Sequence, residues 1–210
     1  MQLSLLDREQ PRLARGFLAA VRHDLTLGAW LEHMPGFVAS GQAALFASLE
    51  TGLPWQQTEQ VLYDRTVQTP RLVAQLDDVE SRWPIVGEMA ELLSSRYDAR
   101  FEQISFALYR DGHDSVAFHR DRVLRTRQHG LVATVSLGGP RSFHLRPHLE
   151  HGSTLRFQLG LGDLMVMGGT CQRTWEHAIP KTKRLVSPRI AIMFRSQNLR
   201  APTVSKPARS

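Results

Sequence analysis

Apolar positions along the chain repeat with two different periods, and the change falls near residue 100. Before it, the pattern is helical. Ser40 stands where a cap would open a helix carrying Ala44, Leu45, Ala47, Ser48 and Leu49, with Gly52 as its stop. Pro84 suits the first turn of a second helix, in which Ile85, Met89, Leu92 and Leu93 fall on one stripe. After it, the period shortens to two. Strands are predicted at Phe101–Tyr109, Ser115–Asp121, Leu131–Leu137, Ser142–Arg146, Thr154–Leu161, Asp163–Met167 and Arg189–Arg195, with Arg110–Asp114 as a turn and Gly138-Gly139-Pro140 as a breaker. In Thr154–Leu161 the residues Leu155, Phe157, Leu159 and Leu161 share a face, and with Ser142–Arg146 that stretch reads as a hairpin. Seven or eight short strands after two or more helices predict an α+β fold: a double-stranded β-helix (jelly-roll) core with N-terminal flanking helices.

The organisation read from the same pattern is one domain. Residues 1–33 are expected to be an N-terminal extension, 34–200 the folded domain and 201–210 a flexible tail rich in Pro, Ser and Ala. No apolar run reaches the ~20 residues a membrane helix needs, and the N-terminus carries charges where a signal peptide would be apolar. Cys171 is the only cysteine. It excludes an internal disulfide and a Cys-rich zinc site, and it fits a reducing compartment. A cytoplasmic monomer with no membrane contact and no disulfide-linked partner is expected.

Charge changes the picture in one respect. The formal net charge is +6, and the excess is clustered. From His177 to Ser210 there are eight Lys or Arg and no acid. Arg120, Arg122, Arg125 and Arg127 form a second cluster. Such clusters suit a polyanionic substrate, although a well-solvated basic surface has the same composition.

The chemistry rests on His119, Asp121 and His177. On a strand, His119 and Asp121 point to one face while Arg120 points away. With His177 from a strand remote in sequence, two imidazoles and a carboxylate would form the facial triad of a non-haem Fe(II) oxygenase, leaving positions for a 2-oxo acid and O2. Zinc accepts the same ligands. The strand RIAIMFR decides between them. Arg189, Ala191, Met193 and Arg195 lie on one of its faces, Ile190, Ile192 and Phe194 on the other. Two inward guanidiniums are costly unless an anion pairs them, and a dicarboxylate would do so. Arg189 would take its distal carboxylate and Arg195 lie nearer the iron, with a phenol hydrogen bond from Tyr109. His144, His148 and His151, in RSFHLRPHLEH, read as a hairpin tip rather than a metal site.

These residues carry a resemblance. LYRDGHDSVAFHRD, the WEHAIPK segment around His177 and SPRIAIMFR resemble AlkB-type 2-oxoglutarate- and Fe(II)-dependent dioxygenases. The likeness runs from the MPGFV segment at Met34–Val38 to Arg195, with Trp55 and Pro70-Arg71 as weaker landmarks. It implies a jelly roll with a nucleotide-recognition lid, Fe(II), 2-oxoglutarate and O2 as cofactors, and Tyr109, Arg189 and Arg195 as the 2-oxoglutarate clamp. It also implies oxidative dealkylation of alkylated DNA or RNA bases, as in DNA repair, with release of formaldehyde. The chain departs from the pattern where members usually touch the base. Arg122 and Val123 follow Asp121 in place of acids. Ala107 and Ala191 replace asparagines, and Gln75-Leu76-Asp77 stands where the lid often carries an aromatic pair. Candidate substrate contacts are Trp55, Tyr63 and Trp175 for stacking and Arg71, Arg120, Arg122 and Arg125 for phosphates. Two alternatives stay open: the same chemistry on a tRNA nucleoside, a protein or a small molecule, and a non-catalytic nucleic-acid-binding module.

Overall fold

The computed structural model describes residues 9–62, 65–121, 130–149 and 153–199. The chain order is β1 (Arg12–Leu13), β2 (Val21–Asp24), β3 (Ala29–Met34), β4 (Val38–Ser40), α1 (Gln42–Gly52), β5 (Gln56–Leu62), β6 (Arg65–Ala74), α2 (Val79–Arg82), α3 (Pro84–Tyr97), β7 (Ala99–Tyr109), β8 (Val116–His119), β9 (Val132–Gly138), β10 (Arg141–Pro147), β11 (Leu155–Leu159), β12 (Leu164–Gly169), α4 (Cys171–Thr174), β13 (Trp175–Ile179) and β14 (Arg189–Leu199).

Strands β2-β3-β12-β9-β14-β7-β6-β5 form an eight-stranded sheet, and β11-β10-β13-β8 form a four-stranded one. Every pairing is antiparallel. The two sheets make the jelly roll. Its two cores follow from the two-residue period of the strands. In β14, Ile190, Ile192 and Phe194 turn outward to meet Leu45 and Leu49 of α1 and Ile85, Val86, Met89 and Leu93 of α3. The intervening Ala191 and Met193 turn inward, as do Val132, Met165 and Met167, against Phe143, Leu145 and Leu159 of the smaller sheet. The same alternation carries Arg189 and Arg195 inward.

Several expectations change on contact with the structure. The first half of the chain is not mainly helical: β1 to β6 all lie there. Residues 21–33, read as an extension, supply β2 and most of β3, and Leu31 of β3 is fully buried beside β12. The β5–β6 hairpin escapes a pattern reading because QQTEQVL and RTVQTPRLVA are mostly polar. The end of β6 next to β7 reaches the helical core through Leu72 and Ala74, and β5 prolongs the sheet as its edge. Ser40 does not cap α1. It sits in β4, its hydroxyl donates to the Gln10 carbonyl, and Gly41 takes the cap position in a left-handed conformation. Pro84 opens α3 as expected, but Leu92 and, in the hairpin, Leu161 face solvent. Tyr63, Arg122, Arg125, Arg127, His151 and the tail 201–210 lie outside the described residues.

Candidate metal centre and co-substrate pocket

β8 and β13 are adjacent antiparallel strands, and their register places His119 directly opposite His177. The two rings lie 4.2 Å apart between centroids. Asp121 falls two residues beyond the end of β8, still on the face of His119, with 3.6 Å between His119 Nε2 and Asp121 Oδ1. Ligand atoms of all three lie within 4.8 Å of one another, a span one ion can bridge. Among the described residues no other group of three such side chains does so. His148 is instead bound to Glu176 (2.7 Å), and His144 lies beside Phe118.

Each of the three is held from behind. His119 Nδ1 lies 2.9 Å from the Ala117 carbonyl, so that nitrogen carries the proton and Nε2 keeps a lone pair. Phe143 stacks on His177 with ring planes 16° apart. Burial forces His177 to stay neutral, its pKa near 3, and lowers that of His119 for the same reason. Burial would raise the Asp121 carboxyl, but Arg195 overrides it: its Nε donates to Asp121 Oδ2 at 2.6 Å, and the net shift is downward. The centre therefore offers two neutral imidazoles and an ionised carboxylate, the donor set of a ferrous ion.

A cavity of about 390 Å³ opens onto this centre. Tyr109, Arg189 and Arg195 line it, as does Arg71 of β6. Arg189 is 1% exposed. Its Nε donates to Ser136 Oγ at 2.8 Å, and among the described residues no carboxylate pairs it. Burial draws its pKa down to about 10. A buried guanidinium with both Nη groups open is a seat for a carboxylate. In register, Arg189 lies opposite Tyr109 of β7, and its Cζ stands 5.4 Å from the Tyr109 ring centroid. Arg195 spends its Nη1 on Ser105 Oγ at 2.7 Å. The residues fit an iron and a dicarboxylate.

The substrate candidates divide. Arg71 reaches the cavity. Trp55 does not: it packs on the helical core and its indole N–H donates to the Glu50 carbonyl. Trp175 is buried in the inner core, with its indole nitrogen 3.5 Å from the Thr26 carbonyl. Arg120 donates to the Arg173 carbonyl. Both tryptophans are packing residues, as most large aromatics are. Four contributors were not anticipated. Ser136 carries a sequence signal, a polar residue at an inward position of the apolar strand LVATVSL. Phe143, Gln56 at the cavity mouth and Gln172 carry none. Buried Gln172 accepts the backbone N–H of Asp121 at 3.0 Å and so fixes the chain where it leaves β8.

Comparison with known proteins agrees with this geometry. Residues 47–195 match the family described as the 2OG-Fe(II) oxygenase superfamily. The alpha-ketoglutarate-dependent dioxygenase alkB homolog 3 of Bos taurus is 30% identical over 183 residues, 77% of this chain and 64% of that protein. The chain thus spans under two thirds of the length of that relative. The DNA oxidative demethylase ALKBH2 of Mus musculus is 32% identical over 94 residues, 41% of this chain and 39% of that protein. Among solved structures, a prolyl hydroxylase from Trichoplax adhaerens superposes with TM-score 0.60 at 12% identity, covering 81% of this chain and 84% of its own. A 2OG-Fe(II) oxygenase family oxidoreductase from Burkholderia pseudomallei gives 0.54 at 15%, covering 84% and 88%. At such identities these two speak for the jelly roll alone. Taken with the triad and its cavity, the match over most of the chain means that this protein belongs to the 2OG-Fe(II) oxygenase superfamily as a member of AlkB type, a family whose chemistry uses Fe(II), 2-oxoglutarate and dioxygen.

Proposed function

We propose that the protein removes N-alkyl groups oxidatively from bases in DNA or RNA. The observation that carries this reading is that one cavity holds both the His119–Asp121–His177 centre and the unpaired, buried guanidinium of Arg189. Nucleic acid as the substrate is supported by the clustered basic residues and by similarity to a protein named as a DNA demethylase.

In this reading His119, Asp121 and His177 hold Fe(II), while Arg189 and Tyr109 take the distal carboxylate of 2-oxoglutarate. Bound there with O2, these groups would supply the oxidising power to hydroxylate an N-methyl carbon, one oxygen atom going to that carbon and the other to succinate with loss of CO2. The resulting N–CH2–OH group then breaks its C–N bond; formaldehyde leaves and the base regains N–H. The chain's own residues do the positioning. Ala117 selects the His119 tautomer that presents Nε2. Arg195 keeps Asp121 ionised and turned toward the histidines, and Phe143 fixes the plane of His177. Because both imidazoles are neutral, protons do not compete with the metal for their nitrogens at neutral pH. Phe143, Ile179 and Met193 give the cavity apolar walls beside the centre.

The test is direct. Purified protein with Fe(II) and 2-oxoglutarate is expected to release formaldehyde from oligonucleotides bearing N-methylated bases, and Asp121→Ala to release none. Absence of formaldehyde across a panel of methylated bases, with the metal shown to be bound, would sink the reading.

A further inference from the structure

The charge and hydrogen-bonding character of the cavity are lopsided. Asp121 is the one carboxylate among the described residues that line it, and it is already committed to Arg195 and the metal centre. Against it stand three guanidiniums, those of Arg71, Arg189 and Arg195. A bound Fe(II) and a bound dicarboxylate cancel each other, so the excess persists in the loaded site.

Arg71 is the member of this set with no assigned task. Arg189 faces the far carboxylate and Arg195 holds Asp121. Arg71 comes from β6, at the mouth, and makes one long hydrogen bond, to the Ser115 carbonyl at 3.4 Å. It lines the same cavity as His119, Asp121 and His177, where an alkyl group must arrive to be oxidised. Gln56 and Gln75 share the mouth, and among the described residues neither side chain makes a hydrogen bond. The two glutamine amides can each donate or accept, so Arg71 alone gives the mouth a fixed donor and charge, and the described residues around the incoming base offer no free carboxylate.

Alkylated bases fall into two electrostatic classes. In 1-methyladenine and 3-methylcytosine the ring is a cation near neutral pH and the group beside the alkylated nitrogen is an N–H donor. In 3-methylthymine and 1-methylguanine the ring is neutral and the neighbouring group is a carbonyl acceptor. An uncompensated guanidinium beside the base repels the first class and donates to the second. Release of formaldehyde strengthens the distinction. Breaking the C–N bond of a neutral N-hydroxymethyl lactam leaves negative charge shared with the flanking carbonyl, and a fixed guanidinium stabilises that charge.

We infer that the enzyme acts on uncharged N-alkylated lactam bases in preference to cationic ones, with Arg71 as the residue that sets the preference. The inference rests on the proposed base dealkylation and names its substrate class. It is tested with one oligonucleotide sequence carrying 3-methylthymine, 1-methylguanine, 1-methyladenine or 3-methylcytosine at a single site. Formaldehyde release is expected with kcat/KM at least about tenfold higher for the two neutral lesions. Binding of the same oligonucleotides with Mn(II) in place of Fe(II) is expected to follow the same order. Arg71→Glu should reverse that order, and Arg71→Lys, which keeps the charge, should retain it. Equal or better use of the cationic lesions by the wild-type protein overturns the inference and leaves base dealkylation standing. An order unchanged in Arg71→Glu removes the role given to Arg71. No turnover of any of the four, with metal bound, overturns base dealkylation and the inference with it.

Discussion

Arg189 is a residue whose cost and use can be measured separately. A guanidinium held at 1% exposure with one serine as its partner is destabilising until an anion arrives. Arg189→Met removes that cost along with the carboxylate seat. Without 2-oxoglutarate, the variant is expected to melt no lower than the wild type. With it, the KM for 2-oxoglutarate should rise on the order of 10- to 100-fold, as loss of a charge-assisted hydrogen-bonded pair of about 1.5–3 kcal/mol requires. Metal affinity should hardly change. A variant that binds 2-oxoglutarate like the wild type would show that the carboxylate seat lies elsewhere. Asp121 gives a contrasting case. Its carboxylate already belongs to Arg195, so Asp121→Ala both removes a ligand and leaves Arg195 partly buried without its ion pair. Calorimetry of metal binding is expected to show the loss, together with a lower Tm.

At the scale of elements, what the sequence disclosed and what it concealed have the same cause. Strands packed on both faces read as short apolar, β-rich runs bounded by turn residues, so β7, β9, β12 and β14 were legible, and in β14 the arginines that interrupt one face marked the inward pair Arg189 and Arg195. The triad was legible because His119 and Asp121 sit two apart, which on an extended chain puts both on one face. β5 and β6 were hidden because they are mostly polar and, among the described side chains, only Leu72 and Ala74 at the end of β6 reach the core, and with them went Gln56 at the cavity mouth. Gln172 was hidden for another reason: it acts on a backbone N–H, and nothing in the identity of Asp121 asks for a particular partner there. Strand ends also set function. Gly138 closes β9 with φ +84°, and a Cβ there would stand 2.3 Å from the Pro188 carbonyl oxygen, one residue before Arg189. It is also the register partner of Arg189 across β9 and β14. Gly138→Ala is therefore expected to cost about 1–3 kcal/mol in denaturant unfolding and to raise the KM for 2-oxoglutarate as the start of β14 shifts. Asp163, just before β12, ties three segments together. Its carboxylate accepts from the backbone N–H of Gly36 at 3.1 Å and of Gly160 at 2.8 Å, and lies 3.4 Å from His33. Burial would raise its pKa, but those partners outweigh it and the net shift lies below the ordinary 3.8. A lowered carboxylate pKa adds stability that is present above pH 3.8 and is lost as pH falls through the folded value. Asp163→Asn should cost about 1–2 kcal/mol at pH 7, and the gap to the wild type should close as unfolding is measured at progressively lower pH beneath about 4.

For the whole molecule, the decisive feature is that the site straddles the two sheets. His119 and His177 belong to the four-stranded sheet; Tyr109, Arg189 and Arg195 belong to the eight-stranded one. The Arg195–Asp121 ion pair is already one bond across the gap. A metal held by His119, Asp121 and His177 would tie Asp121 to the small sheet, and a dicarboxylate bound beside it with its far end on Arg189 would add a second bridge. Each ligand then binds better when the other is present, because each completes a span that the other begins. Any ligand that binds only the folded protein stabilises it, by about 2.7 kcal/mol at a hundredfold excess over Kd. The expected outcome in thermal unfolding is a Tm increment for metal plus 2-oxoglutarate that exceeds the sum of the increments for each alone. Mn(II) serves as the metal, so that turnover does not intrude. Arg189→Met should keep the metal increment and lose the surplus, since the chelating end of the co-substrate remains but the second bridge does not form. Strictly additive increments in the wild-type protein would mean that the ligands sit within one sheet or the other, and that the jelly roll is held together by its packed core without help from its chemistry.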